Sequence, residues 1–337
     1  MKKLKFVIPL TALFILGIFV TGIFFWWREN TKPVSNVTSS QDFLILKGKS
    51  ASQVGQMLYE KGLIRSPLAF KIYVQVMGSA DEIQAGEFRI PPNLTVFEVI
   101  DLLSKGPLEL WVTVPEGLRK EEIVEKFTSG LQMNTSRAIE FRKEFLDASG
   151  ELEGYLFPDT YLFPRDATGE KVVQRMKTIF DQKFDTDMKN KIQNAGRNLN
   201  QVVTMASIIE RETKTTEERP IVAGILWKRS ETKGWLVQAD ATTQYAIGTK
   251  NCSHKVECAW WPILTREDLE VDSLFNTYKF PGLPPFPIAN PGITSLKSAV
   301  YPEESDYWFY IHDPDGKIHY AKTIQEHNQN IAKYLGK

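Results

Sequence analysis

The sequence predicts an α+β protein in three parts: an N-terminal transmembrane helix, a small subdomain and a larger mixed α+β domain. Three observations carry this. Phe6 to Trp27 contains no charged residue. Short alternating patterns and capped amphipathic helices then follow one another from Asp42 to about Gly106. From Leu108 the same two periodicities recur over a much longer stretch, separated by turn and proline signals. The expected divisions are 1–29 for a cytoplasmic tip and anchor, 30–41 for a linker, 42–107 for the subdomain and 108–337 for the larger domain.

The uncharged stretch is long enough to cross a bilayer at about 1.5 Å of rise per residue. Lys2, Lys3 and Lys5 precede it, and Trp26-Trp27 close it as an interfacial aromatic pair would. A cleaved signal peptide would have a shorter apolar run and a small-residue cleavage site, and no such site follows. The basic N-terminus belongs on the cytoplasmic side, which puts the bulk of the chain outside the cytoplasm. Residues 30–41 are polar and unpatterned and read as a flexible spacer.

Composition narrows the function classes. Lysine plus arginine and aspartate plus glutamate both number 41, so no net basic surface is available for a phosphate backbone and no nucleic-acid partner is expected. Nothing in the sequence asks for a cofactor. Cys252 and Cys258 suit an oxidising compartment, where they either close a short disulfide loop or stay as two thiols. A zinc site would recruit His254 between them but lacks a fourth ligand, so no metal is expected.

Within 42–107, Phe43–Leu46 is a strand. Ser50 and Gln53 form a capping box opening a helix through Leu58. Pro67–Met77 is a helix and Gly86–Ile90 a strand. Thr95 and Glu98 form a second capping box before a helix over Val96–Leu103 that Gly106 ends. This strand–helix–helix–strand–helix pattern resembles LysM-type carbohydrate-binding modules. Pro115–Leu118, leading into Glu121–Phe127, reads as a further turn–helix unit without a Ser or Thr cap. In the larger part, Glu109–Val114 is a strand. Lys171–Phe184, Gln201 to about Thr213, Pro220–Lys228 and Thr323–Tyr334 are helices. Tyr307–Ile311 and Ile318–Ala321 form a hairpin across Asp313-Pro314-Asp315-Gly316.

Val202 to Ile209 is apolar nearly all round, so its helix should be buried on most sides, with Glu210 where polarity begins. A carboxyl at such a place is partly desolvated, as a general acid near neutral pH requires. The plain alternative is a solvated helix end with Glu210 and Lys214 as an i,i+4 pair. Three further segments combine aromatic and polar groups in the manner of sugar sites. They are Leu152–Tyr161, Leu236–Tyr245 with Asp240, Thr242 and Gln244 on alternating positions, and the proline-rich Ser273–Gly292 with Asn276, Tyr278 and Asn290.

The segments "EGYLFPDTY", "MASIIERET", "QADATTQYAIG", "SLFNTYKFPGLPPFPIANPG" and "YWFYIHDPDGKIHYAKTIQEHNQN", in that order behind an N-terminal anchor, resemble the MltG-type (YceG-like) endolytic murein transglycosylases. The resemblance implies a glutamate acting alone as acid and base at Glu210. It implies non-hydrolytic cleavage of the β-1,4 bond between N-acetylmuramic acid and N-acetylglucosamine, leaving a 1,6-anhydro-muramyl end and terminating nascent strands. Asp240, Gln244, Asn276, Tyr278 and Asn290 would orient the sugar or stabilise charge. A membrane-bound peptidoglycan synthase is the expected partner beside the glycan itself. The alternatives are a hydrolytic muramidase, with Asp159 or Asp240 as second carboxylate, and a non-catalytic wall-binding scaffold. "NCSHKVECAWW" within 248–261 matches no motif of that family.

Overall fold

The computed structural model describes residues 4–46, 48–252 and 258–336, and for 4–15, 80 and 81 the backbone alone. The chain divides into two compact units, Met1–Val112 with Tyr161–Asp166, and Thr113–Thr160 with Ala167–Lys337. The strand at Glu109, expected to open the larger domain, therefore lies almost wholly in the first unit, together with a short segment from much later in the chain.

The first unit begins with helix α1 (Leu4–Asn30). The anchor expected over Phe6–Trp27 falls in part, over 6–15, on residues whose side chains lie outside the described ones. Among the described residues no helix is long and apolar enough to cross a membrane. The stretch after α1 departs from the expected free spacer, because its backbone is tied down. Thr31 is buried, its carbonyl accepts from Val96 N at 3.2 Å, and Ser35 N donates to Pro92 O.

Strand β1 (Gln41–Ile45), helices α2 (Ala51–Glu60) and α3 (Pro67–Met77), strand β2 (Gly86–Ile90) and helix α4 (Val96–Ser104) follow in the anticipated order. Their ends are set locally. Both capping boxes form, at Ser50/Gln53 and Thr95/Glu98. Ser66 caps α3 with Pro67 in its first turn, and Gly78 ends it in the left-handed conformation. β1 and β2 pair antiparallel with Phe43 opposite Phe88. Those two rings meet Val54, Leu58, Phe70, Val74, Val99 and Leu103 in one buried cluster. Strands β3 (Glu109–Thr113) and β4 (Thr160–Pro164) complete a sheet of order β1-β2-β3-β4. β4 was not anticipated. Its Tyr161 and Phe163 alternate into the interior, so the "YLFPDTY" aromatics serve in part as core.

In the second unit, helices α5 (Lys120–Gly130), α6 (Thr135–Ser149), α7 (Gly169–Lys183) and α8 (Thr186–Asn194) lead to α9 (Leu199–Glu212). Helices α10 (Arg219–Glu231), α11 (Asp240–Cys252) and α12 (Ile293–Val300) pack on α9. Strands β5 (Phe309–His312) and β6 (Ile318–Ala321) form the expected hairpin, which α13 (Ile324–Leu335) covers. Asp240, Thr242 and Gln244 lie in helix α11, so their alternation does not mark a strand and does not put them on one face.

Candidate active site

Every residue from Val202 to Ile209 is buried. Val202, Val203, Ile208 and Ile209 are β-branched and only moderate helix formers, so packing rather than propensity holds α9 together. Asn198 and Gln201 close a capping box at its start. Ser207 Oγ donates back to Thr204 O and accepts from Ile288 N at 3.0 Å, stitching the helix to the proline-rich segment. At the other end Thr213 leaves the helix, and its hydroxyl donates to Ile209 O. Glu218 accepts from Lys214 N and Thr215 N, forming the turn that delivers Arg219 to the first position of α10.

Glu210 sits where these segments converge, with 6% of its side chain exposed. Arg219 Nη2 donates to Glu210 Oε1 at 2.9 Å, and Gly292 N donates to Oε2 at 2.9 Å. Gly292 is the N-cap of α12, where an anionic group is favoured by the free N–H groups and the helix dipole. Arg219 is itself braced by the hydroxyls of Thr213 and Thr294. The expected burial is present, but the simple i,i+4 alternative is not: α9 stops before Lys214, and Glu210 pairs with Arg219 instead.

A second carboxyl stands beside it. The turn Pro115–Leu118 carries Glu116, whose Oε2 lies 3.9 Å from Arg219 Nη1. A methyl group on Gly292 would fall 1.8 Å from Glu116 Oε1, so this carboxyl lies directly against the glycine. Burial first, and the neighbouring Glu210 charge second, push the Glu116 carboxyl above its ordinary range, with Arg219 opposing. Gly117 has φ of +76° and packs against Glu210 Cγ, a backbone conformation glycine adopts without strain.

Glu212, two positions on, faces a different environment. It lines a polar cavity of about 380 Å³ together with Arg229, Gln238, Asp240, Tyr278, Phe309, Tyr310 and His327. Glu210 is not among its lining residues. Tyr310 donates to Glu212 Oε2 at 3.0 Å, and burial raises the Glu212 carboxyl to about 7. Tyr278 donates to Asp240 Oδ1 at 2.5 Å. Gln238 has φ of +55°, rare for a residue with a side chain, and Arg229 Nη2 holds its side-chain oxygen.

The sequence profile of the YceG-like family matches residues 43–333. This chain belongs to the YceG-like family. It is 29% identical to an endolytic murein transglycosylase of Bacillus subtilis (strain 168), covering 94% of this chain and 91% of that protein. It is 26% identical to an endolytic murein transglycosylase of Streptococcus pneumoniae serotype 2 (strain D39 / NCTC 7466), covering 86% of this chain but only 58% of that longer protein. A crystal structure of a YceG-like protein from Listeria monocytogenes superposes with a TM-score of 0.58 at 27% identity, covering 86% of this chain and 98% of that one.

Set on this YceG-like fold, the five further residues expected to meet sugar separate into two groups. Asp240 and Tyr278 face the polar cavity. The other three bond within the protein itself, mostly to backbone. Asn290 is fully buried. Its Oδ1 accepts from Gly154 N and Leu156 N, and its Nδ2 donates to Leu118 O and Glu153 Oε1. Asn276, also fully buried, donates to Leu269 O and Val271 O and accepts from Thr243 and Tyr278 N. An amide has two donors and two acceptor sites, so both side chains are saturated. Gln244 donates to Pro262 O. Sequence reasoning missed Glu116 and Arg219. Their signals, a Pro-Glu-Gly turn and an arginine just before Pro220, are too common to single out.

The described residues of the 248–261 segment brace two arginines. Cys252 and Cys258 are joined by a disulfide with Cα atoms 5.6 Å apart. His254 lies outside the described residues. Beyond the disulfide, Trp260 lies 4.5 Å from the guanidinium of Arg119, which stacks on Tyr245 from 4.0 Å. Arg119 is fully buried and also donates to Thr249 and Glu121. Trp261 donates to Glu122 and receives Arg211 on its face at 3.9 Å. The two tryptophans thus cover Arg119, the residue before α5, and Arg211, the one that follows Glu210.

Proposed function

We propose that this chain is an endolytic peptidoglycan lytic transglycosylase in which Glu210 moves the proton. Family membership and the activity named for its relatives support the reaction class. The observation that carries the residue is Glu210 itself. It is nearly withdrawn from solvent at the end of the family-matched helix, with one oxygen held by Arg219 and the other by a helix N-terminus.

The reaction runs in two proton transfers. The carboxyl donates to the glycosidic oxygen as the C1–O bond breaks, and the leaving oxygen keeps the bonding pair. The muramyl C6 hydroxyl oxygen then attacks C1, and its proton passes to the carboxylate. Because nucleophile and electrophile belong to one sugar, effective concentration replaces a bound water. The product carries a 1,6-anhydro end, and a strand so closed is terminated. The cavity beside Glu212, with Asp240, Tyr278 and aromatic faces, is assigned on this reading as a saccharide subsite next to the Glu210 niche, supported by its mix of polar and aromatic lining. We further assign the α1 segment as a membrane anchor, on its uncharged sequence, placing the enzyme outside the inner membrane beside a membrane-bound synthase that supplies strands. The β1-α2-α3-β2 arrangement supports a LysM-like, glycan-binding role for the first unit.

A second reading has a specific observation behind it. Glu212 lines the cavity, and its carboxyl at about 7 is what a general acid needs. Glu210→Gln and Glu212→Gln, each assayed on purified glycan strands with mass spectrometry of the products, separate the two. Loss of anhydro-ended fragments in Glu210→Gln alone supports the first reading, and loss in Glu212→Gln alone replaces it. Reducing ends in place of anhydro ends would make the protein a muramidase. Binding without shortening would make it a scaffold.

A further inference from the structure

We propose that Glu116 is the proton store for Glu210: a second carboxyl, on the turn before α5, that loads Glu210 before bond cleavage and unloads it afterwards. The inference rests on the reading of Glu210 as the acid and base.

The geometry sets the two carboxyls around shared partners. Arg219 reaches Glu210 at 2.9 Å with one nitrogen and comes within 3.9 Å of Glu116 with the other. Gly292 gives its N–H to Glu210 and offers its bare Cα face to Glu116, where any side chain would collide. The turn carrying Glu116 is fixed in place. Gly117 N donates to Asn290 O and Asn290 N donates to Leu118 O, each at 2.9 Å. The charged groups facing the pair are Arg219 from α10 and Arg211 from α9, whose Nη1 points at Gly117 O. From α12 come only a backbone N–H and the Thr294 hydroxyl on Arg219.

Exposure assigns the roles. Glu210 exposes 6% of its side chain, Glu116 45%. Glu210 is thus poorly placed to exchange a proton with bulk water, while Glu116 reaches both water and the niche. Both Glu210 oxygens accept from groups that can only donate, Arg219 Nη2 and Gly292 N, and the second carboxyl, Glu116, approaches the same arginine. Burial and the Glu210 charge both push the Glu116 carboxyl above its ordinary range, against Arg219, and the stored proton is assigned there on this proposal. When substrate arrives the proton passes from Glu116 to Glu210 and on to the glycosidic oxygen. The proton released by the C6 hydroxyl returns by the same route, so none is consumed.

The test uses the full-length chain in detergent with glycan strands. Glu116→Gln, Glu116→Asp, Gly292→Ala and Glu210→Gln are measured for kcat across pH 5–9. A stored proton is lost as pH rises, so the wild type should show an alkaline limb. Glu116→Gln should lower kcat by about tenfold or more and shift that limb by about a unit, with Glu116→Asp recovering part of both. Gly292 has φ of −75°, which alanine accepts. Gly292→Ala keeps the N–H on Glu210 and drives its methyl into the Glu116 carboxyl, so it should shift the limb in the same direction. A wild-type rate and limb in Glu116→Gln overturns the proposal, as does a lowered rate with the limb unmoved, which marks a structural role. If Glu210→Gln cleaves at the wild-type rate, the underlying reading fails instead, whatever Glu116 does.

Discussion

Replacing Asn290 with alanine separates a residue that binds sugar from one that braces the site. The side chain makes four hydrogen bonds, to Gly154 N, Leu156 N, Leu118 O and Glu153 Oε1, at 2.7–3.0 Å, in a fully buried position. A net contribution of about 1 kcal/mol per bond gives about 4 kcal/mol, before any penalty for the donors and acceptors left without partners. For a unit of this size that corresponds to a fall in Tm of roughly 8–16 °C. Because Asn290 also fixes the turn carrying Glu116, kcat should fall with stability. Calorimetry of the full chain, read on the transition of the larger unit, measures the first effect, and fragment release from glycan strands measures the second. A Tm within about 2 °C of wild type together with a raised KM would refute the bracing role and return Asn290 to the substrate.

Three other outcomes are expected. Burial raises the Glu153 carboxyl to about 8, so its folded form holds a proton that the unfolded chain releases near 4.5. Its stabilising share is whole below about pH 4.5 and is lost as pH rises through about 8, and Glu153→Gln should flatten urea stability across that window. Replacing Cys252 and Cys258 with serine opens a very short loop. By the chain-entropy model this costs about 2 kcal/mol, visible as a lower denaturant midpoint that reductant does not lower further. Asp240→Asn and Tyr278→Phe alter the cavity and not the Glu210 niche. They should raise KM by about tenfold with kcat nearly kept, and an equal fall in kcat would place the cavity in the chemistry.

What could be read from the sequence was whatever is encoded locally. Helix α3 and strands β2 and β6 fall on the anticipated residues, because Ser66, Pro67 and Gly78 punctuate the first, alternation marks the second and the Asp313–Gly316 turn sets the third. Glu210 was legible for a similar reason: the apolar run ending at Ile209 is a burial signal, and the first carboxyl after it inherits the consequences. Helix α11 was missed because Thr242, Thr243 and Tyr245 favour strands by propensity, while packing against α9 decides the outcome. The amides failed differently. Asn276 and Asn290 sit in a proline-stiffened loop, and an asparagine there looks the same in sequence whether it turns outward to a sugar or inward to make three backbone bonds and one to a side chain. Arg219 and Glu116 reach Glu210 only through the turn after α9 and the pairing of Leu118 with Asn290, contacts that no window of sequence contains.

The pairing of Glu210 with Arg219 is poorly explained as a device for stability. A mostly buried ion pair gives back in Coulomb attraction roughly what it loses in desolvation, and apolar residues of like size often serve a fold as well or better. Around this pair, however, the structure spends further buried polar groups: Thr213 and Thr294 on the arginine, a helix N-terminus on the carboxylate, and Asn290 on the turn that brings Glu116 alongside. Such an arrangement fixes direction rather than adding cohesion. Each oxygen of Glu210 has an assigned donor, so the carboxylate is held in one orientation; if Glu210 is the acid and base, one of these contacts must yield when it takes up its proton. The rigid apolar body of α9 supplies the other requirement, since a carboxyl can be aimed this closely only from an element that cannot itself shift.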